Sequence, residues 1–178
     1  MRFNPIDIFP MRNPLDCTNI IKRFCKDKIV CDLGCGKADI LEYLRINKLC
    51  SDVVGIELDE QKYGECIGAG RNYVKYGDIT KEKIPDADVY IIWLGLNFPY
   101  DQLKDKLKKN SILINLDGLE KTNLKIQQDL NVKILEQGKY NYDETRFIPS
   151  MDIYLKQIKR IYGTWKVTGE RHYYIYKV

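Results

Sequence analysis

The chain has 178 residues, of which 44% are apolar and 30% are charged, which is enough for one folded domain with its own core. Its formal net charge of +4 is spread along the sequence, so it permits an anionic partner without requiring one. No apolar run reaches the roughly 20 residues that a membrane span needs, and the start lacks the order of a signal peptide. We therefore expect a soluble, cytoplasmic protein without membrane insertion.

Strand and helix patterns alternate along the first two thirds of the chain. A short amphipathic helix is predicted over residues 15–25. Short, β-branched apolar runs are typical of strands buried in a parallel sheet, and they occupy residues 29–33, 53–58, 89–94 and 112–116, with a weaker strand at 72–76. Helix-like stretches lie between them, at residues 39–48, 60–70 and 100–109. The alternation predicts a doubly wound α/β fold, with a mostly parallel sheet flanked by helices.

The last third of the sequence breaks this alternation. Residues 132–142 have an extended pattern, and residues 151–162 carry one apolar helical stripe. The segments 163–167 and 172–178, joined by the turn signal TGER, predict a C-terminal antiparallel hairpin. We expect a single domain over residues 1–178, made of an N-terminal lead and helix (1–27), a core (28–117) and C-terminal strands and helix (118–178).

Six cysteines fall within the first 66 residues, and their gaps never give the paired spacing of a zinc site. We expect thiols at these positions and no bound metal. The only histidine, His172, sits among tyrosines in the last predicted strand, where a structural role is the prevailing interpretation.

The most informative stretch is the glycine-rich turn that follows the first predicted strand. Gly34 and Gly36 allow a tight turn and a close approach of backbone to ligand. A dinucleotide fingerprint requires glycine or alanine at position 39, where this chain has Asp39. A phosphate-binding P-loop requires Ser or Thr at the start of the helix, and neither occurs between Gly34 and Leu49.

What remains, a strand followed by Asp–x–Gly–x–Gly, resembles the first motif of the class I S-adenosylmethionine-dependent methyltransferases, over roughly residues 25–117. The resemblance implies the seven-strand, Rossmann-like fold of that superfamily and S-adenosylmethionine as cofactor. By this resemblance, Asp32 would face the ammonium group of the cofactor, while Gly34, Cys35 and Gly36 would supply backbone groups to it. Ala38 stands where the family often has a third glycine.

Further positions match the same pattern. Glu57 ends the second predicted strand, where a carboxylate can accept hydrogen bonds from both ribose hydroxyls. Asp78 follows the third, and its carboxylate would accept the exocyclic amine of adenine while the backbone of Ile79 reads the ring edge. Trp93 leaves the fourth strand beside the expected sulfonium. Each of the three acids, Asp32, Glu57 and Asp78, also has an ordinary interpretation as a turn or helix-capping residue.

The acceptor site is predicted to follow the fourth strand. Residues 97–100 read N-F-P-Y and resemble the [DNS]-P-P-[YFW] element of amino-methyltransferases, with Phe98 in place of its first proline. The resemblance assigns Asn97 and Tyr100 to the acceptor side. An ordinary alternative is a proline that begins the next helix with an aromatic residue packed beside it.

The resemblance therefore predicts a methyltransferase whose acceptor is unidentified. A protein lysine is one acceptor class, because the run from residue 77 to residue 115 loosely resembles small protein-lysine methyltransferases. A nucleic-acid amine methyltransferase is the alternative enzyme. A non-catalytic scaffold that keeps the cofactor-binding fold and a dinucleotide-dependent oxidoreductase remain as other classes. The oligomeric state is not predicted.

Overall fold

The computed structural model of the chain describes residues 17–116, 119–145 and 166–178. Their helices and strands are, in chain order, α1 (Thr18–Cys25), β1 (Ile29–Leu33), α2 (Asp39–Ile46), β2 (Asp52–Glu57), α3 (Glu60–Gly68), β3 (Val74–Tyr76), β4 (Val89–Ile92), a short 3-10 helix (Tyr100–Leu103), β5 (Ile112–Asn115), α4 (Glu120–Leu130), β6 (Lys133–Thr145) and β7 (Lys166–Lys177). Within these ranges no helix combines the length and apolarity that a membrane crossing requires.

The seven strands form one sheet in the order β3-β2-β1-β4-β5-β7-β6. The strands β1 to β5 pair in parallel with one another, and β7 lies antiparallel between β5 and β6. The predicted fold class is confirmed, and the ends of the five predicted parallel strands are displaced by no more than two residues. The chain proceeds from β1 to β2 and β3 on one side and then returns to β4 on the other. The strand order therefore reverses between β1 and β4, which is where open α/β sheets bind ligands.

Apolar residues on both faces of the sheet explain why its central strands read as continuous apolar runs. In β4, Val89 and Ile91 pack in a core cluster with α1 and α2, whereas Tyr90 and Ile92 pack in a second cluster with the 3-10 helix and α4. All four of these residues are buried. The alternation of side chains across a strand therefore supplies two hydrophobic layers from one short sequence.

The predicted antiparallel pairing of the C-terminal strands is confirmed, but the turn predicted at TGER is wrong. TGER, residues 168–171, lies inside β7, where Thr168 is opposite Asp143 and Arg171 is opposite Tyr140. The partner of β7 is therefore β6, a strand of 13 residues, and not a second half of the same segment. The continuous pairing with β6 overrides the local turn signal of one glycine. We refer to β6 and β7 together as the β6–β7 ribbon.

Two helices differ from the prediction. The helix predicted over residues 100–109 is only the four-residue 3-10 helix, because the hydrogen bonds that follow run mainly between residues three apart, as from Lys106 N to Leu103 O. The helix α4 is not predicted, because two of its buried positions are the polar residues Thr122 and Asn123. The helix predicted over residues 151–162 lies outside the described residues, and the division into one domain stays a prediction.

One hydrogen bond joins β7 to α4 and can be tested directly. The hydroxyl of Tyr176 donates to Oδ1 of Asn123 at 2.8 Å, and Tyr176 is fully buried. We expect Tyr176→Phe to lower the free energy of unfolding by about 1 kcal/mol, because Oδ1 of the buried Asn123 loses one of the two hydrogen bonds that it accepts. Tyr76→Phe, at a residue that is 55% exposed, is the control. Urea denaturation measures both, and equal stability of the two variants would contradict the role given to Tyr176.

Candidate functional site

A glycine-rich loop connects β1 to α2 and turns sharply. Gly34 and Gly36 have φ angles of +80° and +58°, in the left-handed region that glycine adopts without strain. A Cβ on Gly34 would lie 3.0 Å from Cδ2 of Leu94, so this position needs glycine for space as well. A Cβ on Gly36 would meet no described atom within 4 Å. The loop therefore makes its turn and leaves room beside Gly36.

The loop is fixed to the end of the neighbouring strand. The backbone N–H groups of Gly34 and Cys35 both donate to the carbonyl oxygen of Ile56, at 2.9 and 3.0 Å. The Cys35 side chain turns towards the sheet, since a Cβ on Gly55 would lie 2.7 Å from its Sγ. Burial raises the pKa of the Cys35 thiol far above its usual range. The Cys35 side chain therefore offers no thiolate to a ligand, and the backbone role of Cys35 stays a prediction.

Glu57 lies at the end of β2 and is bonded to the same loop. Its Oε2 accepts a hydrogen bond from the backbone N–H of Gly36 at 2.6 Å, and its Oε1 accepts one from Asp59 at 2.8 Å. The residue is only 7% exposed. Parallel pairing of β1 with β2 brings these groups together, although Glu57 lies 21 residues after Gly36 in the sequence.

Asp32 is a second buried carboxylate at this edge. It lies in β1, opposite Gly55 of β2, and is 5% exposed. Burial raises the pKa of Asp32 from an ordinary 3.8 to about 7, and the charge of Glu57 adds to the rise. Two acids in one poorly solvated place repel each other, so the arrangement is more stable when a cation is present.

The outer side of the loop is held by residues that the sequence analysis missed. Nη1 of Arg71 donates to the carbonyl oxygen of Lys37 and, at 2.8 Å, to Oδ1 of Asp39. Sγ of Cys66 donates to the carbonyl oxygen of Gly36 at 3.3 Å. Both residues lie 30 or more positions from the loop, so no local pattern marks them. They leave the backbone of the loop with little freedom to move.

Asp78 begins a tight turn after β3. Its Oδ1 accepts hydrogen bonds from the backbone N–H and the hydroxyl of Thr80, at 2.9 and 2.6 Å, and its Oδ2 lies 3.2 Å from Nζ of Lys81. These hydrogen bonds, with the nearby ammonium group, hold the pKa of Asp78 below its usual range. Ile79 is buried beside it. Asp78 therefore has the capping role that is the ordinary interpretation, and its carboxylate is ionised.

Lys106 holds this turn from the opposite side. Its ammonium group donates to three backbone carbonyl oxygens, those of Ile79, Thr80 and Glu82, at 3.2, 2.7 and 3.1 Å. Lys106 comes from the segment after β4, and the three carbonyls belong to the loop before it. Nothing in the sequence distinguishes Lys106 from the other lysines of its segment. The contact ties the loop that begins at Asp78 to the segment predicted to face the acceptor.

The two residues predicted to face the acceptor, in the segment after β4, differ in their exposure to solvent. Asn97 is exposed, whereas Tyr100 is fully buried and donates its hydroxyl to the carbonyl oxygen of Leu94 at 2.5 Å. Tyr100 therefore packs in the core beside Phe98, and the acceptor-side role predicted for it is wrong in this structure. Trp93 is partly buried, with the guanidinium of Arg171 6.0 Å from its ring centre.

The arrangement of strands is that of the class I S-adenosylmethionine-dependent methyltransferases, and the resemblance indicated by Asp32, Gly34 and Gly36 is confirmed at the level of the fold. Three solved structures of the same fold are similar to it. The precorrin-6y C5,15-methyltransferase of Geobacter metallireducens is 13% identical, with 90% of this chain and 85% of that one covered and a TM-score of 0.58. The Bacillus subtilis M1A22 tRNA methyltransferase TrmK is 12% identical, with 90% of this chain and 64% of that one covered and a TM-score of 0.63. The precorrin 8w decarboxylase of Methanobacterium thermoautotrophicum is 20% identical, with 100% of this chain and 96% of that one covered and a TM-score of 0.60.

A more particular similarity lies in the first half of the chain. The family of the methionine biosynthesis protein MetW matches residues 15–92. This match spans fewer than half of the 178 residues and includes the glycine loop, Glu57 and Asp78. No curated protein matches the chain.

The raised pKa of Asp32 has a consequence for stability. Between its ordinary pKa of 3.8 and its folded value of about 7, the folded protein holds a proton that the unfolded chain releases. The free energy of unfolding therefore falls as pH rises through this window, by up to about 1.4 kcal/mol per pH unit from this group. We expect Asp32→Asn to remove this dependence and the exposed-site control Asp105→Asn to keep it. Urea denaturation from pH 4.5 to 8 measures it, and an unchanged profile in Asp32→Asn would refute the assignment.

Proposed function

We propose that this protein binds S-adenosylmethionine and transfers its methyl group to an acceptor, with S-adenosylhomocysteine as the product. The observation that carries the proposal is the pair of buried carboxylates, Asp32 and Glu57, at the carboxyl ends of β1 and β2 beside the glycine loop. The pair lies next to the reversal of strand order between β1 and β4.

The charge of this site suits a cationic ligand. Asp32 would pair with the positive ammonium group of the cofactor, and such pairing compensates for the lost solvation of this acid, while the nearby carboxylate of Glu57 adds negative charge to the site. The pyrophosphate of a dinucleotide would instead bring negative charge to the same place. A dinucleotide-dependent oxidoreductase is therefore disfavoured, as Asp39 at the third glycine position also indicates.

Each residue of the loop has a role consistent with its contacts. Asp32 would accept hydrogen bonds from the ammonium group, directly or through water. The backbone groups of Gly34, Cys35 and Gly36 would line the methionine part, where the open space beside Gly36 leaves room. Each oxygen of Glu57 accepts one backbone N–H and has a further lone pair for a ribose hydroxyl.

The adenine end of S-adenosylmethionine would lie against the turn that begins at Asp78. Asp78 would accept the exocyclic amine while the backbone of Ile79 contacts the ring edge. The hydrogen bonds from Thr80 and the three contacts of Lys106 hold this turn in one conformation. Trp93, at the end of β4, would border the methyl-bearing part of the cofactor.

The cofactor supplies an electrophilic methyl group when bound, so the protein has to hold and orient more than to exchange protons. Direct displacement depends on alignment of the acceptor with the sulfonium. Asn97 is exposed at the end of the segment after β4 and would contact an acceptor amine from there. Acid–base groups are not required at this position for the reaction to proceed.

Two classes of methyl acceptor are consistent with this proposal. The sequence resemblance favours a protein lysine, and a nucleic-acid amine is the alternative, a class to which the name of TrmK refers. A scaffold that binds the cofactor without turnover is the non-enzymatic alternative. A cytoplasmic location stays a prediction.

Two measurements test the proposal. Calorimetry should detect binding of S-adenosylhomocysteine and none of NAD, and the reverse result would favour an oxidoreductase. Tritiated S-adenosylmethionine with host lysate then reports transfer, after treatment of separate portions with protease and with nuclease. Label lost to protease supports a protein acceptor, and label lost to nuclease supports a nucleic acid. Cofactor binding without any labelled product would support the scaffold.

Glu57 provides the sharpest test of cofactor orientation. We expect Glu57→Ala to weaken binding of S-adenosylhomocysteine by about 1–3 kcal/mol, because charge-assisted hydrogen bonds to the ribose are lost. Glu60→Ala, at an exposed residue three positions later, is the matched control and should bind like the parent. Calorimetry at one pH and salt concentration compares the three proteins. Parent-like affinity in Glu57→Ala would show that the ribose assignment is wrong.

Lys106 tests whether the turn at Asp78 has to be held in place. We expect Lys106→Gln to raise the dissociation constant of S-adenosylhomocysteine by about threefold to tenfold, since the three carbonyl contacts position the adenine-side turn. Lys104→Gln, at an exposed lysine of the same segment, is the control. Unchanged affinity in Lys106→Gln, measured by calorimetry, would restrict Lys106 to a structural role.

A further inference from the structure

A second concave site lies between α4 and the β6–β7 ribbon. It is a cleft of about 770 Å³, and its described walls come from the first turn of α4 and from one face of the ribbon. This volume is typical of small-molecule sites, which span roughly 300–1,000 Å³. The residues assigned above to the cofactor or to the acceptor side are not among its described lining residues.

The cleft lies at the same edge of the sheet as the glycine loop. Tyr174, one of its lining residues, pairs with Asn115, the last residue of β5. The strands β4, β5 and β7 are consecutive in the sheet, so β7 is about 10 Å from β4 at the usual strand spacing. A ligand in the cleft is therefore close to the carboxyl end of β4, which would border the methyl-bearing part of the cofactor.

The two walls carry opposite charges. On the ribbon, Lys139 lies directly opposite His172, so the two side chains share one face of the pair of strands. On the helix, Glu120 is the first residue of α4. Burial raises the pKa of Tyr174, and the charge of Glu120 adds to the rise, which indicates that the carboxylate lies near Tyr174.

The remaining lining groups add planar surfaces and hydrogen-bonding groups. The rings of His172 and Tyr174 lie edge to face, with centroids 6.4 Å apart and planes at 65°. The carboxamides of Asn123 and Gln137 add hydrogen-bonding groups from opposite walls. Asn123 contributes its Nδ2 donor, because its Oδ1 already accepts hydrogen bonds from Tyr176 and Gln127. Such a lining matches a compact ligand with an acidic group for the ribbon wall and a basic nitrogen for the helix wall.

We propose that this cleft binds the methyl acceptor, and that the acceptor is a small molecule with both an acidic group and a basic nitrogen. The inference rests on the proposed methyltransferase function and adds a third class of acceptor to the two macromolecular ones. A nucleic acid fits this lining less well, because its phosphates would meet the carboxylate of Glu120. A single lysine side chain would leave most of the 770 Å³ unfilled.

The transfer step balances without a further reactant. The acceptor nitrogen, which is protonated when it pairs with Glu120, first releases a proton to solvent. Its lone pair then forms a bond to the methyl carbon while the bond from that carbon to the sulfonium sulfur breaks. The sulfur keeps the electron pair of the broken bond and becomes a neutral thioether. The methylated nitrogen is again positively charged, so the product keeps its basic group. Lys139 and Glu120 hold the two ends of the acceptor during this step.

Charge-neutralising variants test the cleft. Tritiated S-adenosylmethionine is incubated with the protein and an extract of the expression host, which is then divided by ultrafiltration into small-molecule and macromolecular fractions. We expect new label in the small-molecule fraction, in a product that binds to both cation and anion exchangers. Glu120→Gln and Lys139→Gln should each lower the initial rate by about tenfold or more, the usual loss for a charge-assisted contact. Asp86→Asn and Lys133→Gln, two exposed residues outside the cleft, are matched controls and should keep the parent rate.

Separate readouts distinguish failure of this inference from failure of the proposed function. Calorimetry with S-adenosylhomocysteine should give parent affinity in all four variants, and no binding by the parent would refute the methyltransferase proposal itself. If the parent binds, then label confined to macromolecules, label unaffected by the two cleft variants, or no labelled product would each overturn the inference. Because His172 is the only histidine, its imidazole NMR signals should also shift on addition of the small-molecule fraction and not of the macromolecular one.

Discussion

The structure depends on the parallel pairing of β1 with β2, because this register brings two carboxylates into one buried place. Asp32 and Glu57 are separated in sequence by a whole strand–helix–strand unit, yet both lie at the carboxyl edge of adjacent strands. Two buried acids close together are unfavourable on their own, as the raised pKa of Asp32 reflects. A site that keeps them is suited to a positively charged ligand, and this electrostatic constraint favours a sulfonium cofactor over a dinucleotide.

The loops around this pair are held mainly by distant polar residues. Arg71 and Cys66 bond to backbone carbonyl oxygens of the glycine loop, and Lys106 bonds to three carbonyl oxygens of the turn that follows Asp78. Each contact satisfies backbone groups that tight turns leave without helical or sheet partners. The backbone at this edge is therefore already ordered, which would reduce the entropy lost on binding of the proposed cofactor.

The two ends of the sheet differ in what they can contribute. The parallel half, from β3 to β4, carries the glycine loop and the acids that match the superfamily pattern. The antiparallel half carries the β6–β7 ribbon and the cleft beside α4, whose described lining residues lie outside the MetW match. The MetW match ends at residue 92, before this half begins. Selection of an acceptor by the antiparallel half is therefore compatible with a shared cofactor site in the parallel half.

The sequence by itself determined the parallel core and the edge at which its acids lie. Short β-branched runs can be buried on both faces only in such a sheet, and the spacing from Gly34 to Glu57 follows from one strand–helix–strand unit. Only the tertiary structure determined the secondary structure and burial of residues whose surroundings come from distant segments. TGER continues a strand because β6 pairs with it throughout, and Tyr100 is buried because the 3-10 helix packs its ring under Leu94 and Phe98. The roles of Arg71 and Lys106 likewise depend on carbonyl groups about 25 to 35 residues away, which no local pattern encodes.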